Sequence, residues 1–95
     1  MKLTVEIVKK KILGVLRKHD VTKAALFGSV ATGEATEKSD VDVLIDFKGE
    51  QSLLDLVDLK FELEELLHRK VDLLTYDSLH PLLRDKILKQ QVVIL

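Results

Sequence analysis

Apolar residues recur at helical spacing through the first part of the chain. Val5, Val8, Ile12, Val15 and Leu16 fall on one stripe of residues 4–18, Thr4 stands where a cap would, and Arg17, Lys18 and His19 lie at the end that the helix dipole favours for positive charge. The period then changes. "AALF" (24–27) is a short apolar run ended by Gly28, and "VDVLIDF" (41–47) alternates Val41, Val43, Ile45 and Phe47 with Asp42, Leu44 and Asp46; both are expected to be strands. Helical spacing returns in "LLDLVDLKFELEELLHRK", where Leu56, Leu59, Leu63, Leu66 and Leu67 share a face and Ser52 with Asp55 has the form of a capping box. "KVDLLTY" (70–76) reads as a third strand. Asp77 or Ser78 can cap a helix from Leu79 to Gln90 with Pro81 in its first turn, and "VVIL" (92–95) reads as a short edge strand. Between these elements, Thr32 to Ser39 and "KGEQ" (48–51) are polar and read as loops.

This order predicts an α/β (α+β) fold, a small mixed sheet with helices packed on it. With 95 residues, 46% hydrophobic and 33% charged, and no internal repeat or linker, residues 1–95 are expected to form a single domain. The formal charge of -1, with three Phe, one Tyr and no Trp, provides neither the basic field nor the stacking platforms of direct nucleic-acid binding. There is no cysteine, no apolar stretch long enough to span a bilayer and no signal-peptide pattern, so no membrane association is expected and the cytoplasm is the expected location.

Candidate chemistry gathers in "FGSVATGEATEKSDVDVLI" (27–45). Gly28 allows a tight turn and close approach of the backbone to a bulky anion, and the Ser29 N–H and hydroxyl can donate to phosphate oxygens, especially if a helical turn begins there. Asp40 and Asp42, two residues apart as a strand begins, project to the same face, where two carboxylates repel unless a cation neutralises them. Hard oxygen ligands of this sort suit Mg²⁺, which also binds substrate phosphates. Asp72 in "VDLLT" places a third carboxylate inside an apolar strand, where a charge is costly without a compensating partner.

An isolated Asp-x-Asp is more often a loop residue followed by a solvated strand residue; the neighbouring Gly-Ser and the third aspartate shift the balance toward a site. His19, His68 and His80 lack the spacing of metal ligands and read as helix-end or surface residues. Glu62, Glu64, Glu65, Arg69 and Lys70 read as the solvated side of the long helix. Leu53, Leu54 and Phe61 widen its apolar stripe beyond one packing face, a surface that another chain could cover.

Gly28-Ser29, ten intervening residues and Asp40-Val41-Asp42 resemble the Gly-Ser-x10-Asp-x-Asp signature of the polymerase-β-like nucleotidyltransferases, with Asp72 in the place of the third carboxylate. Over nearly its whole length the chain is similar to the minimal nucleotidyltransferases paired with HEPN-domain proteins in prokaryotic toxin–antitoxin systems. The resemblance implies Mg²⁺ held by Asp40, Asp42 and Asp72, the triphosphate of ATP against Gly28 and Ser29, and Asp72 activating an acceptor hydroxyl. The implied acceptor is a tyrosine of a HEPN-type toxin, so that transfer of AMP makes this chain an antitoxin. Two other readings stand beside it: a non-catalytic antitoxin that covers its partner, and a small-molecule nucleotidyltransferase whose acceptor pocket a homodimer would wall. Relatives commonly carry arginine where this chain has Val30 and Thr32, which leaves positive charge toward the triphosphate to Lys38, another residue or the metal.

Overall fold

A computed structural model describes residues 3–36 and 38–95. Helix α1 (Val5–Lys18) leads into β1 (Val21–Phe27), the short α2 (Gly28–Thr32), β2 (Val41–Phe47), α3 (Leu53–Leu67), β3 (Val71–Thr75), a 3-10 turn over Tyr76–Ser78, α4 (Pro81–Gln90) and β4 (Val92–Val93). The strands form a mixed sheet in the order β3-β2-β1-β4. β1 is antiparallel to β2 and to β4, while β2 and β3 are parallel, with α3 as the crossover that parallel pairing requires.

The alternation in β2 divides the protein into two cores. Val41, Val43 and Ile45 join Ala24 and Leu26 of β1, Val71 and Leu73 of β3, and the inner stripes of α1 (Val8, Ile12, Leu16) and α3 (Leu59, Leu63, Leu67) in the main core. On the opposite face Leu44 packs with Ala25, Phe27 and Leu79, and with Tyr76, Ile87 and Leu88, in a smaller cluster under α4. Asp42, two residues before Leu44, lies on that second face.

Several expectations are corrected. β1 starts at Val21 rather than Ala24: Val21 lies opposite Phe47 and Lys23 opposite Asp46 across a bulge, and the Thr22 hydroxyl donates to the Asp46 carbonyl at 3.2 Å. Polar Thr22 and Lys23 hide this part of the strand from an apolar pattern. The segment from Thr32 is a loop only beyond α2, which ends at Gly33 in the left-handed conformation (φ 81°); Glu37 lies outside the described residues. Helix α4 begins at Pro81 and is capped by His80, whose Nδ1 accepts from the Leu82 N–H at 3.1 Å, because Asp77 and Ser78 are taken up in the 3-10 turn.

The charged run at the end of α3 is not simply solvated. Glu64 Oε2 accepts from the Val71 N–H at 2.9 Å, Glu62 Oε1 meets Lys18 Nζ and His19 Nε2 at 3.4 Å each, and Arg69 reaches the loop before β2. Leu53 (75%), Leu54 (74%) and Phe61 (60%) are exposed, as the width of their stripe implies, but Leu66 is also 37% exposed, although its spacing places it with the packing residues.

The expected capping box of α3 is formed. The Ser52 hydroxyl accepts from the Asp55 N–H at 3.2 Å, and Asp55 Oδ2 accepts from the Ser52 N–H at 2.9 Å. Ser52→Ala is expected to destabilise the protein by about 1 kcal/mol, read in a thermal melt as a fall of ~4–8 °C, with Ser52→Gly losing less. An unchanged melting temperature for Ser52→Ala would mean that the helix start is held by packing alone.

Candidate active site

β1 delivers Phe27 opposite Asp42, and the chain then turns at Gly28 with φ +67° into α2. The turn brings the Gly28 backbone against Asp42. A Cβ on Gly28 would overlap Asp42 Oδ2 and lie 3.1 Å from Asp42 Cγ, so both the backbone conformation and the space require glycine. Ser29 is partly exposed, and its carbonyl accepts from the Glu34 N–H at 2.9 Å and from the Thr32 hydroxyl at 3.3 Å. Val30 is buried in the main core. Val30 and Thr32 therefore provide a core contact and a hydroxyl bound within its own helix, and neither supplies positive charge.

Asp72 is the direct partner of Asp42 across the parallel strands. Parity along each strand says which face a side chain takes; the register adds that these two carboxylates stand side by side. Asp40 precedes β2 and is exposed, as is Asp72, whereas Asp42 is half-buried. Burial raises the Asp42 carboxyl from 3.8 to about 6, reinforced by the charge and hydrogen bond of Asp72 and then by the charge of Asp40. Asp42 and Asp72 are thus brought together beside the Gly28-Ser29 turn, with Asp40 near enough to act on Asp42 electrostatically.

Among the described residues, no three acidic or histidine side chains are already gathered as ligands around one point. The three aspartates bring hard oxygen donors, and the like charges of Asp72 and Asp40 on Asp42, which add to the effect of its burial, are ones that a cation would offset. This donor set fits Mg²⁺. Two cavities lie elsewhere: one of about 210 Å³ is lined by Val15, Glu62, Glu65 and Leu66, and one of about 350 Å³ lies toward the far end of β2 among Asp46, Phe47, Gly49, Thr75 and Asp77. Neither includes Gly28, Ser29 or the three aspartates.

A carboxyl that, like that of Asp42, holds its proton more tightly folded than unfolded contributes stability that is complete below 3.8 and is lost as pH rises through about 6. In metal-free buffer, thermal melts from pH 4 to pH 7 are expected to show wild type losing stability relative to Asp42→Asn, and added Mg²⁺ is expected to restore wild type at pH 7. Parallel curves for the two proteins would remove Asp42 as the source.

The fold is that of a nucleotidyltransferase. A solved minimal nucleotidyltransferase superposes with a TM-score of 0.79 at 36% identity, over 93% of this chain and 90% of that one. The chain belongs to the family described as Polymerase beta, Nucleotidyltransferase, whose model matches residues 10–95, and it is a nucleotidyltransferase by class. A Methanocaldococcus jannaschii protein named as a protein adenylyltransferase is 53% identical over 88 residues, 93% of this chain and 95% of that one. A chain from the solved complex of a Shewanella oneidensis MNT antitoxin with a tri-AMPylated HEPN toxin shares the fold, with a TM-score of 0.75 at 21% identity over 95% of this chain and 71% of that one. No helix among the described residues is long and apolar enough to cross a membrane.

Proposed function

We propose that this chain transfers AMP from ATP to a tyrosine hydroxyl of a HEPN-type toxin and thereby acts as its antitoxin, working in the cytoplasm with Mg²⁺ at Asp40, Asp42 and Asp72. The observation that carries this reading is the pairing of Asp42 with Asp72 beside the Gly28 turn. The adenylyl group and a protein acceptor are supported by the relative of 53% identity named as a protein adenylyltransferase. The HEPN partner is supported by the shared fold of the Shewanella complex.

In this mechanism, Gly28 admits the phosphates close to the backbone, and the Ser29 N–H and hydroxyl donate to their oxygens. Asp40, Asp42 and Asp72 would hold a divalent ion, which would supply positive charge to the triphosphate and the leaving oxygen. Asp72, exposed on the same face, accepts the proton of the attacking hydroxyl. A bond forms between that oxygen and the α-phosphorus, the bond from the α-phosphorus to the bridging oxygen breaks, pyrophosphate leaves, and Asp72 returns its proton to solvent.

Two features favour a protein acceptor over a small molecule. Asp40 and Asp72 lie exposed, away from both cavities, and Leu53, Leu54, Phe61 and Leu82 leave apolar surface uncovered. Val30 and Thr32, which bring no positive charge, favour the alternative of neutralisation by binding alone. With the full chain, ATP labelled at the α-phosphate, Mg²⁺ and a HEPN-type protein of its own host, label is expected on the partner, and an unlabelled partner in a formed complex would sink the transfer reading. In cells, Asp40→Ala with Asp42→Ala is expected to abolish protection while binding persists; retained protection would favour occlusion.

A further inference from the structure

Asp42 and Asp72 are set by sheet register, but Asp40 stands ahead of β2, and other contacts have to fix the loop that presents it. That loop first closes on itself. The Ser39 N–H donates to the Thr36 carbonyl at 3.1 Å, the Thr36 N–H to Ser39 Oγ at 2.8 Å, and the Lys38 N–H to Thr36 Oγ1 at 3.3 Å. It is then fastened to the connection between α3 and β3. Arg69 Nη1 donates to the Thr36 carbonyl at 3.2 Å and to the Ser39 carbonyl at 3.1 Å, and the Val41 N–H donates to the Lys70 carbonyl at 3.0 Å.

The Ser39 carbonyl belongs to the peptide group that leads into Asp40, so a donor on it fixes the plane from which the Asp40 side chain departs. Arg69 is also three residues before Asp72, and the intervening Val71 N–H is held by Glu64 at 2.9 Å. One short connection therefore governs the positions of two carboxylates. Arg69 Nε is buried with no hydrogen-bond partner among the described residues, a desolvation cost that an arginine merely resting on the surface would not incur.

We propose that Arg69 is a positioning residue for the nucleotidyl-transfer site: its guanidinium bonds to the Thr36 and Ser39 carbonyls fix the loop from which Asp40 reaches toward a divalent cation at Asp42 and Asp72. This rests on the reading of the three aspartates as one cation site. Arginine suits the task because its donors are fixed in a plane, whereas a lysine ammonium on a flexible stem restores the charge without the orientation.

The test measures Mn²⁺ binding alone, by electron paramagnetic resonance, on the full-length wild type, Asp40→Asn, Arg69→Met and the double variant, with thermal melts to check folding. Arg69→Met is expected to fold and to bind Mn²⁺ about 10–100-fold more weakly, the range for groups that orient metal ligands. In the Asp40→Asn background it is expected to add no more than about 2-fold, because both changes remove the same contribution. Arg69→Lys is expected to recover only part of the affinity, and it carries the same comparison should Arg69→Met not fold. Wild-type affinity in folded Arg69→Met, or a full additional loss on top of Asp40→Asn, overturns the role of Arg69. Wild-type affinity in Asp40→Asn instead overturns the three-aspartate site itself, a separate and distinguishable failure.

Discussion

Asp42→Asn is expected to reduce AMP transfer by about 10³-fold while leaving the protein folded and, in metal-free buffer at neutral pH, at least as stable as wild type. Loss of transfer follows from position: Asp42 lies against Gly28 on one side and beside Asp72 on the other. If it holds the ion, its removal forfeits several kcal/mol of charge stabilisation, and each 1.4 kcal/mol is about tenfold in rate. Retained stability follows from the raised Asp42 carboxyl, whose charged form is disfavoured by burial and by two like charges. Asparagine keeps the shape and removes that penalty. Initial rates with labelled ATP and paired melts check both halves; transfer within tenfold of wild type, or a markedly lower melting temperature, would contradict the assignment.

Gly28→Ala is expected to damage both stability and transfer. The left-handed conformation at φ +67° disfavours any residue with a Cβ by roughly 1–2 kcal/mol, and here the added carbon also meets the Asp42 carboxylate. The overlap can be relieved only by moving Asp42 or the turn, and either movement shifts the Gly28 backbone relative to the carboxylates. Transfer is therefore expected to fall by about 10²-fold or more, as small misplacements of reacting groups do. Gly33 provides the control, since it shares the positive φ (81°) but has open space where a Cβ would go. Gly33→Ala is expected to show the conformational strain in a melt with transfer nearly preserved. Equal losses of transfer at Gly28 and Gly33 would mean that backbone strain, rather than contact with Asp42, explains the effect.

The parts of the fold that were legible are those in which a local pattern governs the outcome. β2 occupies the alternating run 41–47, and α3 starts at the Ser52–Asp55 box, because side-chain period and capping are short-range properties. The first residues of β1 are hidden in the sequence because they pair across a bulge with polar side chains, and the cap of α4 is hidden because a histidine ring nitrogen takes a role more often held by Asp or Ser. For the candidate site, the sequence presents Asp40, Asp42, Gly28 and Ser29 within one stretch. The pairing of Asp42 with Asp72 depends on register, which a long crossover leaves open. Arg69 reads in the sequence as part of a solvated face because its partners lie 30 and 33 positions away, and a charge at the end of an amphipathic helix carries no local mark of such a contact.

The outer position of β3 gives Asp72 a second consequence. The last strand of an open sheet offers unpaired N–H and C=O groups to any extended segment of another molecule, and Val71-Asp72-Leu73-Leu74-Thr75 is otherwise apolar and β-prone. The charge at its second position makes this strand a poor template for aggregation, so the carboxylate proposed for the chemistry also guards the edge. Substitutions at Asp72 chosen to probe proton transfer therefore alter colloidal behaviour as well. Asp72→Val is expected to scatter light at concentrations where Asp72→Glu stays clear, and a rate measured for any neutral variant at this position is meaningful only for its non-aggregated fraction.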